Sequence, residues 1–339
     1  METRGQMTLG EIAEGVVNNS RRHIARAITL VESHKIEDRV MAYELLRLLR
    51  EGTPRPPSVR VGITGVPGAG KSTFIDALGV KLIEKGHKIA VLAVDPSSSK
   101  TGGSILGDRT RMGELAQSDN AYIRASPSGN HLGGVARATR EAMLICEAAG
   151  YDVVLIETVG VGQSEVAVAG MVDTFLLVTL ARAGDQLQGI KKGILEMADV
   201  ITVNKADGDN EQASRVAARE LMVAMKLINS GSNSRVPPVL TSSSYTGTGL
   251  LELWDEVLKH RDSLSSSGGL EARRAVQQRD WMWNLIDSAL LDTVRHLPSL
   301  KADLAFAEQA VMRGTASAVD AAERILEKFG ASVPETWFS

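Results

Sequence analysis

A glycine-rich stretch at residues 65–73 carries the strongest chemical signal in the sequence. It reads GVPGAGKST and contains the pattern G-x-x-x-x-G-K-[ST] complete. The β-branched run RVGIT precedes it and a helical pattern follows, the setting in which this pattern forms a phosphate-binding loop. We expect Lys71 to reach the β- and γ-phosphates and the Ser72 hydroxyl to ligate Mg²⁺. The predicted nucleotide contacts are Gly65, Val66, Pro67, Gly68, Ala69, Gly70, Lys71, Ser72 and Thr73.

A second motif, N-K-x-D, directly follows the apolar run VITV and comprises Asn204, Lys205 and Asp207. An aspartate carboxylate can accept two hydrogen bonds from N1–H and the exocyclic amine of guanine, a donor pair that adenine lacks. We expect Asn204 to tie this loop to the phosphate-binding loop and the Lys205 stem to pack on the purine. A nearby turn is a candidate source of backbone amides for guanine O6, at Thr241, Ser242 and Ser243.

Acidic residues follow two further apolar runs. Asp95 ends VLAVD, Asp108 lies in the loop after it, and Glu157 ends DVVLIE. Each acid could cap a helix or lie in solvent, but beside a phosphate-binding loop such acids commonly face Mg²⁺, directly or through water. Gly160 can bring its amide close to a γ-phosphate. Because the next residue, Val161, cannot orient water, we expect slow hydrolysis unless a partner completes the site.

The elements that must position these residues follow from hydrophobic patterning. Short β-branched runs alternate with helical stretches from residue 58 to about 262, and seven strands are expected: RVGIT, KIAVLAV, AYIRA, DVVLIE, TFLLVTL, VITVN and PVLTSS. Several are apolar without alternation, as in strands covered on both faces. The pattern predicts an α/β fold of the P-loop NTPase type, a mostly parallel, doubly wound sheet flanked by helices. Its ligand is expected at the carboxyl ends of the strands.

Helical patterns flank this region on both sides. Residues 1–57 space their apolar residues three and four apart before the proline-rich EGTPRPP, which predicts an N-terminal helical extension. The segment DSLSSSGGLEARR is expected to be a hinge or flexible linker. Residues 263–339 predict a C-terminal helical arm whose apolar side chains either pack on the sheet or form a dimer interface. The predicted division is therefore 1–57, 58–262 as the nucleotide-binding domain, and 263–339.

Composition argues against several other classes of protein. Lys and Arg number 38 against 41 Asp and Glu, a net charge of -3, which gives no electrostatic case for binding nucleic acid or a membrane. No apolar run approaches the roughly 20 residues of a membrane helix, and the N-terminus lacks a secretory pattern, so a cytoplasmic location is expected. The single cysteine, Cys146, permits no internal disulfide and no Cys-rich metal site.

Six blocks of sequence together resemble the bacterial MeaB/ArgK family and its mitochondrial counterpart. They are GVPGAGKSTFIDALG, AVDPSSSKTGGSILGDRTRM, ASPSGNHLGGVARATRE, ETVGVGQSE, GDQLQGIKKGILEMADVITVNKADGD and RRAVQQRDWMW. The resemblance covers nearly the whole chain. It implies a homodimeric P-loop GTPase of the SIMIBI class that binds GTP or GDP with Mg²⁺ and binds no cobalamin directly. The implied partner is an adenosylcobalamin-dependent acyl-CoA mutase, of the methylmalonyl-CoA mutase type, which the GTPase chaperones.

The resemblance also implies roles for individual residues. Lys71, Asp108 and Glu157 are the implied catalytic group, and the metal ligands are Ser72, Asp95, Asp108 and Glu157. The segment GDQLQGIKKG resembles an additional switch of the family, which places Asp185, Gln188 and Lys191 at the partner interface. Relatives often have P-G-A-G-D where this chain has LARAGDQ, and the segment YIRAS lacks a proline that is common in the family. Neither difference affects a proposed ligand.

Three other functions are compatible with parts of the pattern. Some relatives have been described as transport-system kinases, which predicts use of ATP and phosphoryl transfer to protein, although N-K-A-D favours guanine. Nickel-insertion GTPases share the general fold but need a metal-holding motif, which one cysteine and six dispersed histidines hardly provide. A scaffold with a purely structural nucleotide is the third.

Overall fold

The computed structural model describes residues 7–33, 35–52, 56–95, 112–127, 132–158, 164–181, 192–230 and 235–332. The chain divides into two compact units, Met1–Gln277 and Gln278–Ser339. The first unit holds the sheet, the phosphate-binding loop and the N-K-x-D loop, so the candidate site lies within it. Within the described residues, no helix combines the length and the apolar character needed to cross a bilayer.

The first unit is built on a seven-stranded sheet whose strands match the seven predicted runs. The strands are β1 (Val59–Gly65), β2 (Ile89–Asp95), β3 (Ala121–Pro127), β4 (Val153–Thr158), β5 (Thr174–Leu180), β6 (Val200–Asn204) and β7 (Val239–Thr241). Their order is β3-β2-β4-β1-β5-β6-β7, and each neighbouring pair is parallel. The prediction of a doubly wound parallel sheet is confirmed.

Helices cover both faces of this sheet, which explains why its strands are apolar without alternation. In the first unit they are α1 (Leu9–Val17), α2 (Arg21–Glu32), α3 (Ile36–Glu51), α4 (Lys71–Glu84), α5 (Leu132–Ala148), α6 (Ser164–Ala169), α7 (Lys192–Met197), α8 (Glu211–Ile228) and α9 (Leu250–Ser266). Helix α10 (Gly269–His296) begins in the first unit and continues into the second, which also holds α11 (Lys301–Met312) and α12 (Ala318–Ser332).

The two faces of the sheet have separate hydrophobic cores. On one face α4 and α9 bury Phe74 and Trp254 against side chains such as Ile63 of β1. On the other face α5 and the three N-terminal helices pack around alternate residues of β2 and β4, such as Leu92 and Ile156. The N-terminal helices therefore belong to the same compact unit as the sheet. The division at residues 57 and 262 stays a prediction.

The prediction of a flexible linker is wrong, and the alternative of a hinge stays a prediction. Helix α9 continues to Ser266 and α10 begins at Gly269, so two residues separate the helices. The hydroxyls of Ser266 and Ser267 both donate to the carbonyl of Ser263, at 3.1 and 3.0 Å, and so satisfy one of the last carbonyls of α9, which have no partner within the helix. The break comes at Gly268, whose φ of +70° lies in the left-handed region.

Candidate nucleotide-binding site

The phosphate-binding loop connects the carboxyl end of β1 to the first turn of α4, in the middle of the sheet. Gly65 has φ +156°, and a Cβ there would lie 1.9 Å from the carbonyl oxygen of Val178 on β5. Gly70 has φ +83°, and a Cβ there would lie 3.3 Å from Nδ2 of Asn204. These two glycines are required by close backbone approach and by left-handed backbone, respectively. The loop therefore lies close to β5 on one side and to Asn204, at the end of β6, on the other.

Lys71 is buried at the start of α4, and its Nζ donates to the carbonyl oxygen of Gly65 at 3.0 Å. Burial lowers the pKa of Lys71, while the negative charges of Glu157 and Glu165 oppose that shift. Glu165 lies at the start of α6, is completely buried, and accepts a 3.3 Å hydrogen bond from the Ser164 hydroxyl. Sequence reasoning missed Glu165, although it is the last residue of the ETVGVGQSE block.

Ser72 and Glu157 lie together, as expected for two residues that share a metal ion. The Ser72 hydroxyl donates to Oε1 of Glu157 at 2.8 Å, and Glu157 is itself buried. Strands β1 and β4 are neighbours with Ile63 opposite Glu157, which places the carboxylate beside the phosphate-binding loop. A hydroxyl and a carboxylate are hard oxygen ligands of the kind that Mg²⁺ prefers, so these residues fit the ion.

The other predicted acids and switch residues are less completely described. Asp95 is the last residue of β2, one position beyond the pairing of Val94 with Thr158 of β4, so its backbone lies at the same edge of the sheet. Its side chain lies outside the described part of the chain. The same is true of every atom of the remaining predicted residues Asp108, Gly160, Asp185, Gln188 and Lys191.

Asn204 connects the N-K-x-D loop to the phosphate-binding loop. Its Nδ2 donates to the carbonyl oxygen of Ala69 at 2.9 Å, as predicted. Its Oδ1 accepts hydrogen bonds from the hydroxyls of Ser242 and Ser244, at 3.3 and 3.1 Å. All three hydrogen bonds lie at the ends of β1, β6 and β7. The amide of Asn204 is therefore held in one orientation by two loops.

The serine turn after β7 orients the acidic residue of the motif. The Ser243 hydroxyl donates to Oδ2 of Asp207 and accepts the backbone N–H of Thr246 at 3.0 Å. The amides suggested for guanine O6 are bonded within the protein: that of Ser242 donates to Val203 and that of Ser243 to Thr248, each at 2.9 Å. In this arrangement the turn acts on Asn204 and Asp207 through its hydroxyls.

Lys205 lies between these two anchored residues with φ +60°, a left-handed conformation that a non-glycine residue adopts at some cost. Its side chain is exposed, and Cε lies 3.6 Å from the position that a Cβ on Gly70 would take. The lysine stem therefore lies along the phosphate-binding loop. Such strained backbone concentrates at ligand-binding positions.

The described site residues lie at one edge of the sheet, at the carboxyl ends of β1, β4 and β6 and in the turn after β7. This is where ligands bind in open α/β sheets. This edge combines a phosphate-binding loop that contains the buried Lys71, a pair of hard oxygen ligands in Ser72 and Glu157, and a carboxylate, that of Asp207, held in place to bind a nucleobase. Within the described part of the chain, no group of three or more His, Cys, Asp or Glu residues could hold a metal ion.

Comparisons with known proteins agree with this geometry. The family model for the methylmalonyl Co-A mutase-associated GTPase MeaB matches residues 24–299. A probable GTPase of Mycobacterium tuberculosis is 56% identical over 321 residues, which cover 94% of this chain and 95% of the relative. The mitochondrial methylmalonic aciduria type A homolog of Mus musculus is 45% identical over 337 residues, 97% of this chain and 81% of the relative.

A solved structure extends the similarity to three dimensions. The crystal structure of a LAO/AO transport system kinase has a TM-score of 0.72 and 35% sequence identity, and the match covers 97% of this chain and all of that one. The match to the family model covers the phosphate-binding loop, the N-K-x-D loop and all of α10. This chain belongs to the MeaB family of GTPases, and its activity is the hydrolysis of GTP.

Proposed function

We propose that this GTPase is the chaperone of an adenosylcobalamin-dependent acyl-CoA mutase, most simply one of the methylmalonyl-CoA mutase type. In this role it gates delivery of intact cofactor and helps to reactivate the mutase, without binding cobalamin itself. The observation that carries the proposal is the match to the mutase-associated family from residue 24 to residue 299. The mouse relative, a methylmalonic aciduria type A homolog, points to the same metabolism. A cytoplasmic location is part of the proposal.

The site residues have distinct roles in this proposal. Lys71 neutralises charge on the β- and γ-phosphates, and Asn204, Lys205 and Asp207 hold the guanine base. Mg²⁺, when bound, would offset the negative charge that develops on the phosphates during hydrolysis. Its proposed ligands are Ser72 and Glu157, whose Oγ and Oε1 atoms lie 2.8 Å apart, together with Asp95 and Asp108.

The partner enters the proposal because the chain has valine where a water-positioning side chain would be expected. Val161 follows Gly160, the residue proposed to contact the γ-phosphate. A hydrocarbon side chain cannot orient the attacking water, so the isolated protein should turn over GTP slowly. We propose that the mutase supplies or positions the missing contact, with Asp185, Gln188 and Lys191 at the interface.

A homodimer is also part of the proposal. In the second unit, α10 carries apolar side chains at helical spacing that remain largely exposed: Trp283 is 55% exposed, Ile286 39% and Leu290 44%. A stripe of this kind is typical of a surface that another protein covers. We propose that a second copy of this chain covers it, and sedimentation of the purified protein would test this.

The proposed function can be tested by nucleotide-dependent capture of the mutase. Immobilised protein loaded with GDP, or with a non-hydrolysable GTP analogue, is incubated with purified methylmalonyl-, ethylmalonyl- or isobutyryl-CoA mutase. We expect one of these enzymes to bind, with an affinity that differs between the two nucleotide states. A cobalamin-independent acyl-CoA enzyme is the control. Absence of binding to all three mutases in both states would contradict the chaperone role while leaving the GTPase activity intact.

The similarity to the crystal structure of a LAO/AO transport system kinase raises one alternative. A kinase of this kind would use ATP and transfer a phosphoryl group to another protein. The N-K-x-D loop and its anchoring by Ser242, Ser243 and Ser244 favour guanine. Direct comparison of ATP and GTP binding would decide, and a preference for ATP would favour the kinase.

A further inference from the structure

Tyr245, in the turn between β7 and α9, is the most exposed of the large hydrophobic side chains that the structure describes. Its exposed fraction is 91%. An isolated exposed apolar side chain is ordinary on a protein surface and by itself indicates nothing. The position of this one, next to the residues that orient the base-binding motif, makes it informative.

The turn that carries Tyr245 is held by its own hydrogen bonds. The N–H of Ser243 donates to the carbonyl of Thr248 at 2.9 Å, and the N–H of Gly247 donates to the carbonyl of Ser243 at 2.9 Å. The N–H of Thr246 donates to the Ser243 hydroxyl at 3.0 Å. Three bonds across six residues fix the backbone on both sides of Tyr245. The tyrosine is therefore presented from a defined position.

The residues just before Tyr245 bond to both base-binding residues. The Ser243 hydroxyl bonds Asp207, and the Ser244 hydroxyl bonds Oδ1 of Asn204 at 3.1 Å. Asn204 in turn bonds the phosphate-binding loop at Ala69. Since adjacent Cα atoms are only about 3.8 Å apart, the backbone of Tyr245 lies next to the serines that hold both base-binding residues.

Lys205 lies between the two base-binding residues in sequence and next to the phosphate-binding loop in space. Its stem lies along the phosphate-binding loop, with Cε 3.6 Å from the position of a Cβ on Gly70. The turn after β7 follows the edge strand, on the side of β6 that faces away from the strand carrying the phosphate-binding loop. A flat heterocycle held at its edge by Asp207 would expose one face to Lys205. Its other face would be open to a side chain from this turn.

We propose that Tyr245 stacks on the purine ring of the bound nucleotide, on the face opposite Lys205. The inference rests on the proposed assignment of Asn204, Lys205 and Asp207 to the base. Aromatic rings stack favourably on nucleobases, and every base offers such a face. Stacking therefore strengthens binding without choosing between bases. Asp207 determines which base is bound, and Tyr245 determines how tightly it is held.

Calorimetric titration with GDP and inosine diphosphate tests this division. Tyr245→Ala should weaken binding of both nucleotides by about tenfold, because one stacked ring is lost. The ratio of the two affinities should not change, since inosine lacks only the exocyclic amine that Asp207 reads. Tyr245→Phe should bind both nucleotides as wild type does. Phe306→Ala, which removes an aromatic ring that is 66% exposed in the second unit, is the matched control and should bind normally.

Asp207→Asn separates this inference from the proposed base site. That variant should prefer xanthosine diphosphate, and adding Tyr245→Ala should weaken its binding by the same factor as in wild type. If Asp207→Asn changes preference but Tyr245→Ala binds GDP within twofold of wild type, the stacking role is wrong and the base site stands. A failure of Tyr245→Phe to restore affinity would also overturn stacking. Unchanged guanine preference in Asp207→Asn would instead remove the base assignment.

Discussion

Lys71 is a buried cation whose charge is balanced by two buried acids. Burial lowers its pKa, and Glu157 and Glu165 act in the opposite direction. An unbalanced buried charge is costly, so the acids help to keep this ammonium available for phosphate. Glu157 has a second part in the site because it accepts the Ser72 hydroxyl. The two acids thus connect β4 and α6 to the phosphate-binding loop.

We expect Lys71→Ala to lower the rate of GTP hydrolysis at saturating GTP by at least about 100-fold, because the developing phosphate charge loses its buried cation. Phosphate release over a single turnover measures the rate. Lys85→Ala is the control, since Lys85 is exposed at the other end of α4 and its removal should leave the rate unchanged. A near-normal rate in Lys71→Ala would contradict the assignment of the loop.

We expect Glu157→Gln to raise the Mg²⁺ concentration that gives half-maximal GTP hydrolysis by about tenfold, because an anionic oxygen beside Ser72 is lost. Titration of the hydrolysis rate with Mg²⁺ measures the change. Glu84→Gln, at an exposed glutamate in the last turn of α4, should leave that concentration unchanged. An unaltered Mg²⁺ dependence in Glu157→Gln would show that this acid does not serve the metal.

At the scale of residues, a contact between two recognised motifs was predictable, and contacts with residues outside the motifs were not. The contact of Asn204 with Ala69 could be predicted because N-K-x-D and the glycine-rich loop each fix local backbone. Glu165 could not, because its neighbour Lys71 is distant in sequence and its six-residue helix shows too little periodicity. The sequence predicts that the amides of Ser242 and Ser243 are free, because it does not show that the carbonyls of Val203 and Thr248 accept them.

At the scale of elements, the start of α10 is clamped to the turn that follows α6. Arg274 donates twice to the carboxylate of Asp173, at 2.8 and 2.6 Å, and Asp173 is completely buried. The Gln277 side chain donates to the carbonyl of Val172 at 2.8 Å. Helix α6 begins at Ser164, next to Glu165. The short helix α6 therefore connects Glu165, the buried acid near Lys71, to the turn that the start of α10 contacts.

We expect Arg274→Ala to lower the free energy of unfolding by about 3–5 kcal/mol, because Asp173 would stay buried without its cation. Urea unfolding measures the difference. Arg279→Ala, on the same helix, removes a partner of the exposed Asp280 and should cost less than about 1 kcal/mol. Equal effects of the two substitutions would contradict the clamp.

The seven strands were predictable because buried parallel strands are continuous apolar runs. The junction of α9 and α10 was not, since serine and glycine are usual in linkers, whereas here all but two residues of the segment belong to the two helices. Likewise, the amphipathic pattern of residues 9–51 predicted helices but could not show that they cover α5 and one face of the sheet. Those contacts depend on the tertiary structure.

At the scale of the whole molecule, Glu141 on α5 makes stability depend on pH. The side chain is 1% exposed, and within the described residues neither carboxylate oxygen has a hydrogen-bond partner. Burial raises its pKa to about 7 from a usual value of 4.5, against the opposing charges of Arg137 on the same helix and Arg39 on α3. The folded protein therefore holds this proton more tightly than the unfolded chain does.

The contribution of Glu141 to stability is present below pH 4.5 and is lost as the pH rises to about 7. We expect Glu141→Gln to remove this loss, so that at pH 8 the variant is more stable than wild type by roughly 3 kcal/mol. Urea unfolding at pH 5 and pH 8 measures the effect. Glu84→Gln should keep the wild-type pH dependence. If Glu141→Gln also keeps it, the buried carboxyl is not the cause.

We propose that a partner completes this GTPase, and the most direct test is GTP turnover with and without an adenosylcobalamin-dependent acyl-CoA mutase. Because the side chain of Val161 is apolar, it cannot orient the attacking water, so the isolated protein should hydrolyse GTP slowly. Adding the cognate mutase should raise the turnover number at least about tenfold, and Lys71→Ala should show no such rise. An unchanged turnover with methylmalonyl-, ethylmalonyl- and isobutyryl-CoA mutases alike would contradict the account.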